Sequence, residues 1–243
     1  MMNKILKWTF ETLTFSRVRF TGLFFGFHGL FNYLPRESMI IDAISFASIS
    51  QIEGDYLEFG VFEGYSFAHA HHTARASPFQ CMRSMRFYAF DSFEGLPEIT
   101  GKDATYNRYF SKGDCRCDYG TFMRNIRRWG VNMEAVTVVR GWYADTLNEK
   151  TKSLLPIKKA AVIMIDCDLY ESTKPVFDFI TDYVQDGTVI IFDDWFLFRG
   201  RSDRGEQRAF YEWLKKNPRF SATHYRQFAV VGNSFIIHEN IKY

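Results

Sequence analysis

Cysteine is scarce. The 243-residue chain has four, Cys81, Cys115, Cys117 and Cys167, and no C-x-x-C pair. The one-residue gap between Cys115 and Cys117 is not a spacing that zinc modules commonly use, so scattered reduced thiols in a cytoplasmic protein are expected. Charge of one sign is not in excess. Thirty Lys and Arg stand against 28 Asp and Glu, a formal net charge of +2, which gives no electrostatic reason to expect nucleic acid as a partner. Long apolar runs are missing too. The longest charge-free stretch, residues 20–35, has 16 residues and contains Gly22, Gly26, His28 and Gly29, whereas a spanning helix needs about 20. Glu11, Arg17 and Arg19 interrupt the apolar character behind Lys4 and Lys7, so no secretory signal is expected. With 47% hydrophobic and 24% charged residues, global disorder is excluded.

Phenylalanine, by contrast, is abundant: 26 residues, seven of them within the first 34. Residues 1–35 read as an aromatic helical arm stopped by Pro35. Such an arm suits packing on the core, on a second copy of the chain in a homo-oligomer, or on a membrane surface as a peripheral contact. Residues 38–50 follow as an amphipathic lead-in helix, so that 1–50 precede a main domain over 51–243.

In that domain short apolar runs alternate with helical patterns. Residues 55–59, 86–90, 135–139, 160–165 and 188–192 are strand-like, being β-branched or aromatic and bounded by Gly, Asp or Pro. Between them, 66–76, 119–129, 144–155 and 173–183 are long enough for crossover helices. A charged helix over 204–216 and two close apolar runs, 222–231 and 234–238, complete the pattern as a hairpin. The expected fold is α/β, a doubly wound, mainly parallel seven-stranded sheet. Ligands in such sheets bind beyond the carboxyl ends of the strands. There the sequence repeatedly places acids: Glu58, Asp91, Asp166, Asp193 and Asp194.

Glu58 opens the stretch Glu58-Phe59-Gly60-Val61-Phe62-Glu63-Gly64-Tyr65-Ser66. Gly60 and Gly64 allow a tight strand–helix turn, with or without a ligand against it. Phe62 replaces the middle glycine of a dinucleotide fingerprint, and the acids around it would repel a pyrophosphate. Asp91, ending the second strand, suits a ribose diol or a helix cap. Asp166 and the Asp193–Asp194 pair end neighbouring strands. Three carboxylates so close repel unless protonated or neutralised, and a hard divalent ion such as Mg²⁺ is one solution, helix caps another. Residues 94–118 form a long polar stretch of the kind used as lids. His69, His71 and His72 lack an accompanying carboxylate at metal-ligand spacing.

The E-x-G-x-x-x-G-Y-S run at 58–66, with acids ending the second, fourth and fifth strands, resembles class I S-adenosylmethionine-dependent methyltransferases with a Rossmann-like fold. More specific are Phe90-Asp91-Ser92-Phe93-Glu94-Gly95-Leu96-Pro97, Gly141-Trp142-Tyr143-Ala144-Asp145-Thr146-Leu147 and Ile165-Asp166-Cys167-Asp168-Leu169-Tyr170-Glu171-Ser172-Thr173. These are similar to the macrocin O-methyltransferase family, which methylates sugar hydroxyls, and the resemblance covers residues 38–238. It implies S-adenosylmethionine and a Mg²⁺-like ion as cofactors, and a small-molecule or glycan hydroxyl as acceptor. Glu58, Gly60, Gly64, Tyr65 and Ser66 would line the methionine and ribose, Asp91 and Ser92 the ribose diol, and Trp142 and Tyr143 the adenine, with Asp166 alongside. Asp166, Asp193 and Asp194 would hold the metal, with Asp166 and Asp168 as catalytic residues and Asp168 as general base. The lysine base of catechol-type relatives falls at Leu169 and cannot be transferred; Glu63 and Cys167 also depart from the family pattern. The rival reading takes Asp166-Cys167-Asp168 as the D-x-D nucleotide-sugar site of a metal-dependent glycosyltransferase.

Overall fold

Seven strands form one sheet among the described residues, 35–106 and 110–240, of a computed structural model. The strands are β1 (Asp55–Phe59), β2 (Phe87–Asp91), β3 (Val136–Arg140), β4 (Ala160–Ile165), β5 (Val189–Phe192), β6 (Phe220–Phe228) and β7 (Gly232–Glu239). Their spatial order is 3-2-1-4-5-7-6. The first five strands are parallel, while β7 runs antiparallel to β5 and to β6, as expected of a closing hairpin. The order reverses between β1 and β4, whose carboxyl ends therefore flank the crevice where ligands bind in such sheets. From Pro35 onward the chain forms one compact unit. The Phe-rich arm, with its expected helical, oligomeric and membrane roles, lies outside the described residues.

Five longer helices matter for the site: α1 (Arg36–Ile49), α2 (Tyr65–Ala76), α3 (Tyr119–Arg128), α4 (Tyr170–Ile180) and α5 (Gly205–Lys216). They cover both faces of the sheet, which explains why β4 and β5 are buried at every position and read as unbroken apolar runs. Side chains alternate between the faces. Leu57, Phe59, Ile163, Ile165, Ile190 and Phe192 pack with Phe177, Phe210 and Trp213 of α4 and α5. On the other face Tyr56 and Phe87 meet Phe67 of α2, and Ser234 meets Met39 of α1. Helix α1 buries Met39, Ile40, Ala43, Ile44 and Ala47, one stripe at helical spacing.

Two expected helices differ. The run 144–155 is divided into Tyr143–Thr146 and Glu149–Leu154. Asn148 leaves the helix and caps the second piece, its side chain accepting from Thr151 N–H at 3.0 Å. Helix α4 begins at Tyr170 rather than at 173 because its first N–H is received at 2.7 Å by Asp103, a residue 67 positions away. The stretch 94–118 contains a short helix, Gly101–Tyr106, which carries that aspartate. Among the phenylalanines in or beside the sheet strands, Phe59, Phe87, Phe90, Phe93 and Phe192 are buried, whereas Phe62 is 42% exposed. No helix among the described residues is long and apolar enough to cross a membrane.

Candidate active site

The carboxyl end of β1 holds Glu58, fully buried. It accepts hydrogen bonds from Tyr56 Oη at 2.6 Å and from Ser66 Oγ, in the first turn of α2. Burial pushes the Glu58 carboxyl up to about 7, against the pull of its Ser66 and Tyr56 hydrogen bonds and the nearby Arg36 charge. Gly60 follows with φ +86°, and a side chain there would place Cβ 2.0 Å from the Asp166 carbonyl oxygen. The turn after β1 therefore lies directly on the loop after β4. Gly64, φ +87°, lets α2 start against Phe122 and Ile126 of α3, 2.7–2.9 Å from where a Cβ would stand.

Asp91 joins the first two turns. Its Oδ2 accepts from Val61 N–H at 2.9 Å and Phe62 N–H at 3.3 Å, and its Oδ1 from Phe93 N–H at 2.7 Å. Burial raises its carboxyl despite these donors. Ser92 closes a local turn, accepting from Glu94 N–H and donating to Gly95 O. Tyr143 donates to Phe90 O at 3.1 Å and sets its ring edge-on to Phe59, with Trp142 half-buried beside it. Tyr65 packs against His69 and Trp129. His71 is buried, and burial lowers its imidazole to about 4.

The ends of β4 and β5 carry the acids. Asp166, Asp168 and Asp194 each offer an oxygen within 4.8 Å of the others. Asp193, expected in that group, instead accepts from Arg36, whose guanidinium also pairs with Asp166 at 3.3 Å. Burial works against the Arg36 charge, but Asp193, Asp166 and Asp194 hold it protonated well above the usual arginine value. The three clustered carboxylates are hard oxygen donors of the kind that suit Mg²⁺. Arg36 supplies positive charge to one of the three, Asp166, and leaves Asp168 and Asp194 as further oxygen donors for a divalent ion.

Three contributors escaped the sequence reading. Arg36 opens α1, where a cation meets the unfavourable end of the helix dipole; that misplacement is the signal that it answers to something else. Glu206 opens α5, and burial with Asp194, Asp166 and Asp168 nearby raises its carboxyl well above the ordinary range. It stands three, four and seven residues before Ala209, Phe210 and Trp213, so an acid occupies the first position of the buried stripe. Asp103, buried in the 94–118 stretch, accepts from Tyr170 N–H and from Gly205 N–H at 3.1 Å, and gave no local signal.

Comparison with known proteins matches residues 36–208 to the macrocin O-methyltransferase (TylF) model. The chain is 28% identical over 150 residues to mycinamicin III 3''-O-methyltransferase of Micromonospora griseorubida, covering 59% of this chain and 56% of that protein. Over 148 residues it is 29% identical to 8-demethyl-8-(2,3-dimethoxy-alpha-L-rhamnosyl)-tetracenomycin-C 4'-O-methyltransferase of Streptomyces olivaceus, covering 59% and 54%. The match thus spans a little over half the length of these relatives. The structure of the O-methyltransferase NovP superposes with a TM-score of 0.65 at 21% identity, over 83% of this chain and 78% of that one, and shares the fold. The chain belongs to the macrocin O-methyltransferase family.

Proposed function

We propose that the protein transfers the methyl group of S-adenosylmethionine to a hydroxyl of a sugar moiety, on a natural product or glycan. The observation that carries this is the contact of Gly60 with the Asp166 carbonyl. It sets the turn that would hold the methyl donor against the acids that would receive a hydroxyl. The family assignment and the rhamnosyl group in one relative's name support a sugar acceptor.

In this reading Glu58 and Ser66 face the methionine end of the donor, Asp91 and Ser92 its ribose, and Trp142 and Tyr143 its adenine, with Gly60, Gly64 and Tyr65 shaping the turn. Asp91 does double duty, since its oxygens also hold the turn amides. Asp166 and Asp194 would hold a divalent ion, Asp193 would join them if Arg36 released it, and Asp168, in the same cluster, is kept for the proton. Such an ion would lower the pKa of a hydroxyl bound to it. Asp168 takes the proton as the acceptor oxygen attacks the sulfonium methyl in line. The C–S bond breaks, leaving a methyl ether and S-adenosylhomocysteine. Holding both partners in that line supplies much of the acceleration.

Asp166 and Asp168 lying in one cluster also fit a D-x-D nucleotide-sugar site, but that second reading leaves the Glu58–Ser66 pair without a task. Calorimetry with S-adenosylmethionine and with a nucleotide-sugar, each with and without Mg²⁺, separates the two. Micromolar binding of the methyl donor is expected; binding of the nucleotide-sugar alone would reverse the choice.

A further inference from the structure

We infer that Glu206 is a positioning residue, a buried two-pronged spacer that fixes the distance between the two acid-bearing loops and holds Asp168 in its turn. The inference rests on the metal reading given above. Glu206 is 1% exposed. Its Oε1 accepts from Cys167 N–H at 3.2 Å and its Oε2 from Asp194 N–H at 3.1 Å. Cys167 is the residue between Asp166 and Asp168, so one side chain grips the loop after β4 and the loop after β5. Each oxygen serves a different loop, and both partners are donors. Only a group with two acceptors can span them.

The grip falls where the backbone most needs it. Asp168 has φ +58°, and Leu169 N–H closes the turn around it by donating to Cys167 O. Aspartate visits this region more readily than most residues other than glycine, but still at a cost that neighbouring bonds must offset. Glu206 holds the peptide before Asp168, and Asp103 holds the N–H of Tyr170 after it. The acid is set among Asp166, Asp168 and Asp194, where an apolar side chain would continue the α5 stripe, and what offsets that repulsion is the pair of loop amides it satisfies. A local rule broken at the edge of a site points to the site's geometry as the cause.

Glu206→Gln keeps the shape and one acceptor but turns a donor toward the other amide; Glu206→Ala removes both. Three measurements test the role: Mn²⁺ binding by electron paramagnetic resonance, S-adenosylmethionine binding by calorimetry, and hydrogen exchange at the amides of residues 167 and 194. We expect Glu206→Gln to bind Mn²⁺ about 10- to 100-fold more weakly. Donor affinity should stay within about twofold, because no oxygen of Glu206 bonds the turns after β1 and β2, and exchange at the two amides should quicken. A merely structural role would weaken Mn²⁺ and donor binding in parallel, and that result overturns the inference. So does Mn²⁺ affinity unchanged in Glu206→Gln. If the wild-type protein takes up no Mn²⁺, the metal reading itself fails and exchange decides alone. Faster exchange at both amides with donor affinity intact then upholds the spacer, and unchanged exchange overturns it. Should Glu206→Ala fail to fold, the near-isosteric Gln variant still gives the answer.

Discussion

The guanidinium of Arg36 donates to Asp193 and pairs with Asp166 at 3.3 Å, across 157 residues of sequence from Asp193. It stands beside the cluster proposed for a divalent ion and engages one of that cluster's own carboxylates. Ion and arginine therefore compete for Asp166. Arg36→Gln should lower the melting temperature of the metal-free protein by a few degrees, for a loss of about 1 kcal/mol. It should also enlarge the rise that Mg²⁺ produces. Thermal scans with chelator and with Mg²⁺ check this, and equal Mg²⁺ shifts in the two proteins would show that the cations do not compete.

Glu58 makes stability depend on pH in a definable window. Its carboxyl is raised from 4.5 to about 7 by burial. Below the lower value both folded and unfolded chains are protonated there. Between the two, the folded protein keeps a proton that the unfolded chain has lost, so stability falls as pH rises, by up to about 3 kcal/mol across the window, and then levels. Denaturation of Glu58→Gln at pH 5 and pH 8 should lack this component. A slope identical to wild type would assign it to other groups.

Gly60→Ala should be severe. The new Cβ would meet the Asp166 carbonyl at 2.0 Å, at a φ of +86° that alanine resists. A loss of about 2 kcal/mol or more follows from backbone strain and displacement together. Both donor affinity and Mn²⁺ affinity should drop, since the clash lies where the two half-sites meet. Urea denaturation and the two binding titrations are the measurements, and normal binding on a normally stable protein would contradict the close approach.

Asp103→Ala should loosen the 94–118 stretch. It strips the acceptor from Tyr170 N–H and Gly205 N–H, two buried helix-start amides, at about 1–3 kcal/mol for each left unsatisfied. Limited proteolysis should cut within 94–118 faster in the variant, and turnover should fall. Unaltered cleavage would mean that other contacts anchor the segment.

Much of this architecture was legible in the sequence because it rests on short-range pattern. Apolar runs such as 160–165 and 55–59 coincide with β4 and β1 at both ends. The glycines at 60 and 64 and the acids at strand ends announced a tight strand–helix turn beside an acidic loop. What stayed hidden depends on contacts across the chain. The partner of Asp193 is at residue 36, and the cap of α4 is at residue 103; neither separation leaves a periodic trace. The break at Asn148 was missed for a different reason, since an asparagine within an otherwise helical run is ambiguous until its side chain is seen to turn back. Glu206 was visible as an acid on an apolar stripe, but surface charge at a helix start is so ordinary that the exception passed for the rule.

The sheet divides the protein into two helical layers, and ordinarily such layers can open independently. Here Arg36 comes from the layer of α1 and Glu206 from the layer of α5, and both end on the same pair of strand tips. Peeling away α1 removes the positive charge from a nest of carboxylates, and peeling away α5 unpins the backbone that spaces them. Either event raises the cost of keeping the other layer closed. The acidic centre thus acts as a rivet through the sheet, and the two layers should come apart in one cooperative step.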